Sequence, residues 1–265
     1  MLMKGSLIKD QLDNREVTLY IPPSCGACSL TFPLLLVQDG DSLFASNTEL
    51  LECSFAQGRL PEMIIAGVKP VNRLDEYTPW PAPALVPERP DFGGEGPAYI
   101  SFLTERLLPY LQTNYYADGR REMTGILGAS LGGLLSYYAG AVRPDVFGRI
   151  GLLSASLWYR GMMDFIRQDA PAAARRDQRL YMSVGTREGE GKETVQKDMP
   201  ALNRAAFELL AGSGLGPDRL RLDMEEGAFH EQSSFVRRFP EAVEWLFGQP
   251  TETADKVSAP GRRLE

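Results

Sequence analysis

The strongest constraint on the fold is a series of short apolar runs, each ending in a turn signal, that alternates along the second half of the chain with helical patterning. "FPLLLVQDG" and "MIIAGV" are nearly continuous apolar runs, as expected of strands buried on both faces. "EMTGILGAS", "RIGLLSAS", "RLYMSVGT" and "RLRLDMEEG" read as four more strands. Between and after them, "LGGLLSYYAGAV" reads as a helix ending before Arg143-Pro144, and "TVQKDMPALNRAAFELLAGSG" as one closed by Gly212 and Gly214. "SSFVRRFPEAVEWLFG" is the last helix. Upstream, Ile100, Leu103, Leu107 and Leu111 give "AYISFLTERLLPYLQTNYY" helical spacing, with Pro109 expected to kink or tighten it. Strands buried on both faces that alternate with helices specify an α/β fold, a mostly parallel sheet covered on both sides. The N-terminus departs from this pattern. Apolar alternation around Asp13-Asn14 predicts an antiparallel hairpin with "EVTLYIP" as its second strand.

A chain of 265 residues with 43% hydrophobic content can bury one sizeable core. Neither a repeat nor a linker divides it, so residues 1–248 are expected to form one domain. Residues 249–265, polar and aperiodic, are expected to be a frayed tail. A net charge of −7 argues against nucleic acid or an anionic membrane surface as a main partner. No run approaches the roughly 20 apolar residues that span a bilayer. The first residues lack a secretory apolar stretch, which makes a cytoplasmic location the expectation. Cys25-Gly-Ala-Cys28 has redox or half-zinc-site spacing, but only Cys53 and a single histidine remain to complete a metal site. The pair follows Pro22-Pro23-Ser24 and reads as reduced loop cysteines, with no metal and no cofactor implied. "PWPAPALVPERPDFGG" cannot be regular structure, and a loop that long usually shapes a site.

"GILGASLGGLL" is where chemistry enters. The pattern G-x-S-x-G is too short to decide anything alone, but Ser130 follows a strand and opens a helix, the position a nucleophile elbow needs. So tight a turn strains the serine backbone and leaves no room for side chains at Gly128 and Gly132. The helix start offers an unpaired N–H, that of Leu131, to a developing oxyanion. A serine hydroxyl needs a general base, and the one histidine, His230, follows the last strand at the carboxyl end of the sheet. An acid must orient that imidazole. Thirteen Asp or Glu residues lie between Ser130 and His230. Glu188, just after the penultimate strand, is the best placed of them, with Asp223 and Glu226 as weaker choices. The second oxyanion donor is expected in "VQDGDSLF", where Gly40 lets the chain turn and the N–H of Asp41 can face the site.

Several stretches together resemble one family. "LLLVQDGDSLF", "GVKPVNRLDEYTPW", "FLTERLLPYLQTNYY", "GILGASLGGLLSYYAG", "FGRIGLLSASLWY", "LYMSVGTREGE" and "GAFHEQSSFVRRF" follow the order seen in the Putative esterase family of α/β-hydrolases, which includes esterase D and the enterochelin (siderophore) esterases. The resemblance covers roughly residues 15–247. It implies an α/β-hydrolase fold, Ser130 as nucleophile, His230 as base, Glu188 as acid, and the N–H groups of Leu131 and the Gly40–Asp41 loop as oxyanion hole. Many members carry Asp where this chain has Glu188, and some siderophore esterases work with a Ser–His pair alone. "RLDEYTPW" is similar to a segment of siderophore trilactone esterases.

The expected activity is therefore a serine carboxylesterase acting on a small-molecule ester, including siderophore-type lactones. Thioesterase or acyltransferase chemistry on the same triad is an alternative, and a non-catalytic binding module on the same fold a more distant one. An anionic ester would call for cations near the pocket, and Arg73, Lys69, Arg160 and Arg187 are the candidates. Trp80 and Trp158 are candidates to line or stack on the acyl group. The loop around residues 79–94 is expected to shape selectivity.

Overall fold

Asp13 and Asn14 both adopt left-handed backbone, at φ 50° and 61°. They turn β1 (Ser6–Leu12) back onto β2 (Arg15–Ile21), with Leu12 opposite Arg15. Two such residues match the twist of a tight hairpin, and Asp and Asn tolerate them better than most residues do. A computed structural model describes residues 4–26 and 30–248, so the expected tail and Cys28 lie outside the described residues. The remaining strands are β3 (Leu34–Gln38), β4 (Ile64–Val68), β5 (Thr124–Ala129), β6 (Arg149–Leu153), β7 (Arg179–Gly185) and β8 (Leu220–Glu225). They form one eight-stranded sheet in the order β1-β2-β4-β3-β5-β6-β7-β8. β2 runs antiparallel to both its neighbours, and β4, β3, β5, β6, β7 and β8 are mutually parallel. β3, β4 and β5 are buried throughout, as their unbroken apolar sequences require.

Alternate residues feed two cores. Leu34, Leu36, Ile126, Ile150 and Leu152 meet α3 (Gly96–Phe102), α4 (Leu108–Tyr115), α5 (Leu131–Val142), α6 (Met162–Ala173) and α7 (Met199–Gly212). Leu35, Val37, Leu127, Ala129 and Tyr181 meet α1 (Thr48–Ala56) and α8 (Gln232–Phe247). Phe235, Phe239, Ala242 and Leu246 form the buried stripe of α8. Each large side chain of that stripe adds roughly 1.5–3 kcal/mol by leaving water. The protein thus has the α/β-hydrolase fold, with helices on both faces.

One expectation needs correction. Between α3 and α4 the helix does not tighten ahead of Pro109. It widens into a π turn over Leu103–Leu107, just ahead of the proline. Pro109 has no N–H to bond the carbonyl four residues back and its ring crowds that turn, and a wider turn relieves both. The Pro-rich stretch is pinned at its base, where Ala82 and Phe92 exchange backbone hydrogen bonds of 3.1 and 2.9 Å. α1 and α6, together with the short α2 (Arg73–Glu76), were not read from the sequence.

Candidate active site

The turn between β5 and α5 holds Ser130 at φ 58° and ψ −120°, a conformation that a residue with a side chain rarely adopts. Three bonds keep it there: Ser130 N–H to the Leu153 carbonyl (2.9 Å), and the Ser130 carbonyl to the N–H groups of Leu134 (3.1 Å) and Ser156 (3.0 Å). The flanking glycines are required by space. A Cβ on Gly128 would lie 2.5 Å from the Gly132 backbone, and one on Gly132 would lie 2.9 Å from Gln38 Cβ.

Ser130, His230 and Glu188 come together. His230 Nε2 is 3.0 Å from Ser130 Oγ, and His230 Nδ1 is 2.9 Å from Glu188 Oε2. The loops after β7 and β8 carry Glu188 and His230. They are tied to each other by Thr186 N–H to the Glu225 carbonyl, Arg187 N–H to the Ala228 carbonyl, and Gly227 N–H to Thr186 Oγ1. Phe235 meets the imidazole edge to face, at 4.9 Å between centroids.

Glu188 is fully buried, and its second oxygen is saturated with donors. Oε1 accepts from Gly185 N–H (2.6 Å), Ser154 Oγ (2.5 Å) and Arg238 Nη1 (3.3 Å). Burial pushes this carboxyl up, but the hydrogen bonds from His230, Ser154 and Gly185 outweigh it and hold the group below the usual carboxylate range. Arg238 is itself buried and also bonds Ser154 Oγ (2.9 Å) and Glu225. The alternative acids are occupied or remote. Asp223 accepts from the Tyr181 hydroxyl (2.6 Å) and Arg221 Nε (2.8 Å), and Glu226 is exposed.

The loop expected to supply a second oxyanion donor is less direct. Asp39 and Gly40 both take left-handed φ, 65° and 68°. The Asp39 N–H is spent on the Tyr77 hydroxyl (2.8 Å) and the Gly40 N–H on the Val68 carbonyl (3.0 Å). The N–H of Asp41 has no acceptor among the described residues, while its carbonyl caps Phe44 and Ala45. The Leu131 N–H opens α5 and has no preceding turn to bond.

A cavity of about 370 Å³ reaches Ser130 and Leu131. The tip of the Pro-rich loop (Leu85, Val86, Arg89, Pro90) and Phe92, Leu74, Trp158, Thr194 and Gln196 wall it. Arg73 and Trp158 line it. Arg73, however, is already engaged, with Nε and Nη2 on the two Asp39 carboxylate oxygens at 2.7 and 2.9 Å. Trp80 is a correction. It packs among Tyr138, Tyr159 and Phe165, donates to the Arg160 carbonyl at 2.9 Å, and is absent from the cavity wall. Lys69 faces a separate groove at the hairpin, Arg187 pairs with Glu190 and stacks on Phe229, and Arg160 lies outside the wall. The exposed cation that does line the cavity, Arg89, was not anticipated.

Arg238, Ser154 and Ser156 were also missed. For Arg238 a signal existed: it falls at helical spacing with Phe235 and Ala242, on the buried face of α8. Among the described residues no group of three or more His, Cys, Asp or Glu gathers that could hold a metal ion, and no helix is long and apolar enough to cross a membrane.

The model of the family described as Putative esterase matches residues 12–244. The chain belongs to that esterase family. The uncharacterized protein YbbA of Bacillus subtilis (strain 168) is 42% identical over 253 residues, which is 95% of this chain and all of YbbA. Among solved structures, an IroE-like serine hydrolase from Shewanella oneidensis aligns with a TM-score of 0.75 at 19% identity, over 92% of this chain and 80% of that one. The siderophore hydrolase EstA from Aspergillus nidulans aligns with a TM-score of 0.68 at 18% identity, over 92% and 94%. At these identities the likeness is one of fold. Membership of the esterase family makes a hydrolase of this protein.

Proposed function

We propose that this esterase-family protein is a serine carboxylesterase that works through an acyl-enzyme on a small-molecule ester. The observation that carries this reading is the unbroken line from the Glu188 carboxylate through the His230 imidazole to Ser130 Oγ, with links of 2.9 and 3.0 Å. Ser130 Oγ attacks the ester carbonyl while His230 Nε2 takes its proton. The imidazolium so formed sits against the buried Glu188 carboxylate. The tetrahedral oxyanion lies at the start of α5, against the N–H groups of Leu131 and Asp41. His230 then protonates the leaving alcohol, and a water activated by the same nitrogen releases the acid.

The cavity supports a substrate with an apolar or flat acyl portion, set against Phe92, Trp158 and Leu85. Arg89 at its edge favours an ester bearing negative charge or hydrogen-bond acceptors, and EstA makes a siderophore-type lactone a reasonable member of that class. The test is hydrolysis of p-nitrophenyl acetate, butyrate and octanoate by wild type, Ser130→Ala and His230→Ala, with fluorophosphonate labelling of each. Activity lost in both variants and labelling lost in Ser130→Ala are the expected results. A wild type that neither turns over nor labels overturns the reading.

A further inference from the structure

The hydrogen bonds around Ser130 Oγ fix one another's direction. The Glu188 carboxylate can only accept, so His230 Nδ1, 2.9 Å from it, carries a proton. A neutral ring then has its lone pair on Nε2, and the Ser130 hydroxyl donates to it across 3.0 Å. That uses the single proton of Ser130. One more group touches the same oxygen, Ser156 Oγ at 3.2 Å, and only one direction is left for this contact: Ser156 donates. Ser156 lies in the loop after β6, fully buried, and its own N–H donates to the Ser130 carbonyl at 3.0 Å. The hydroxyl is thus carried by a residue tied to the elbow it touches. Among the described residues it has no other partner.

We propose that Ser156 is a catalytic residue whose hydroxyl donates to Ser130 Oγ as that oxygen departs from the acyl-enzyme, so that it accelerates deacylation in preference to acylation. The proposal rests on the reading of Ser130 as nucleophile.

The two half-reactions differ at this oxygen. In acylation Oγ starts as a hydroxyl already accepting from Ser156, gives its proton to His230 Nε2 and bonds the acyl carbon. The Ser156 bond exists before the step and changes little on the way to the transition state, so it contributes little to the rate. In the acyl-enzyme Oγ is an ester oxygen, a poor acceptor. Water then attacks the acyl carbon and gives a proton to His230 Nε2. As the tetrahedral intermediate collapses, the carbon–Oγ bond breaks, its electron pair moves onto Oγ, and the imidazolium returns the proton to Oγ while the carboxylic acid leaves. Negative charge grows on Oγ during that collapse, and a donor already aimed at it strengthens most there. Ser156 transfers no proton, and its O–H is unchanged at the end.

The test is stopped-flow hydrolysis of p-nitrophenyl acetate by wild type, Ser156→Ala, Ser156→Cys and Ser130→Ala, with decay of the acetyl adduct followed by intact mass. Fluorophosphonate labelling at the wild-type rate checks that each Ser156 variant keeps a folded site. For Ser156→Ala, acylation and kcat/KM are expected to stay within about twofold of wild type. Deacylation is expected to slow about 10-fold or more, with kcat and KM falling together and the adduct accumulating. Ser156→Cys, which retains a weak donor, should fall between and carries the comparison if Ser156→Ala does not fold. Equal slowing of both steps, or no change in either, overturns the role, because a purely structural serine would not separate the two half-reactions. A wild type that forms no adduct, together with full turnover by Ser130→Ala, instead removes the nucleophile and this proposal with it.

Discussion

Replacing Glu188 with Gln asks whether a Ser–His pair suffices here or the acid is needed, and the structure dictates how the amide must sit. Oε1 receives three donors, from Gly185, Ser154 and Arg238. An amide NH₂ cannot replace that oxygen without meeting all three, so the Gln carbonyl takes the Oε1 position and the NH₂ turns towards His230 Nδ1. There it donates, which forces the imidazole proton onto Nε2, the nitrogen that must accept from Ser130. Loss of charge adds to this. At a separation of about 4 Å and an effective dielectric near 20, the carboxylate stabilises the imidazolium by about 4 kcal/mol, or about 10³-fold in rate. With the tautomer penalty the expected loss in kcat is about 10³–10⁴-fold, the scale seen when the equivalent Asp of a serine protease becomes Asn. KM should change little. The assay is p-nitrophenyl butyrate hydrolysis at pH 7.5, with a thermal melt to show that the fold persists. Glu188→Ala is the informative companion, because it removes the charge without imposing a tautomer and should be the more active of the two per folded molecule. Retention of a tenth or more of wild-type activity by Glu188→Gln would refute the reasoning and leave the buried carboxylate a structural group.

Other consequences are equally direct. Arg238→Met leaves Glu188 and Glu225 without their buried cation and should cost about 3–5 kcal/mol of stability, read as a lower urea midpoint. The lowered pKa of Glu188 means that its contribution to stability is fully present above its ordinary value of 4.5 and is lost as pH falls through the still lower folded value. Thermal melts from pH 7 to pH 3 should therefore fall steadily below about 4.5, and a wild type equally stable at pH 3 would contradict the assignment. Gly132→Ala should destabilise by about 1–3 kcal/mol through its 2.9 Å approach to Gln38, and Gly128→Ala by more, because it meets backbone, as urea denaturation would show. Trp158→Phe should alter KM across an acyl-length series and Trp80→Phe should not, since Trp158 walls the cavity and Trp80 packs behind it.

Much of this protein follows from its sequence alone. Unbroken apolar runs can be buried only on both faces, so β3 to β7 had to lie inside a parallel sheet, and Asp13-Asn14 had to turn a hairpin. Gly128 and Gly132 around Ser130 pointed to a tight strand-to-helix turn where no side chain fits, and a chain with one histidine offered a single candidate base. Strand order then brought Glu188 forward among thirteen acids. What only the tertiary structure decided is how groups far apart along the chain meet. Periodicity reports that a residue faces some apolar layer but not which partner waits there, so Trp80 and Trp158 look alike in sequence while only Trp158 reaches the cavity. Arg73 reads as a free cation until Asp39, 34 positions away, is seen to hold it. The donors on Glu188 Oε1 come from the end of β7 (Gly185), the loop after β6 (Ser154) and the middle of α8 (Arg238), and the Ser156 hydroxyl beside Ser130 comes from that same loop after β6. Hydrogen bonds act only over about 3 Å, and which side chains come that close is settled when the sheet closes, not by their spacing in the chain.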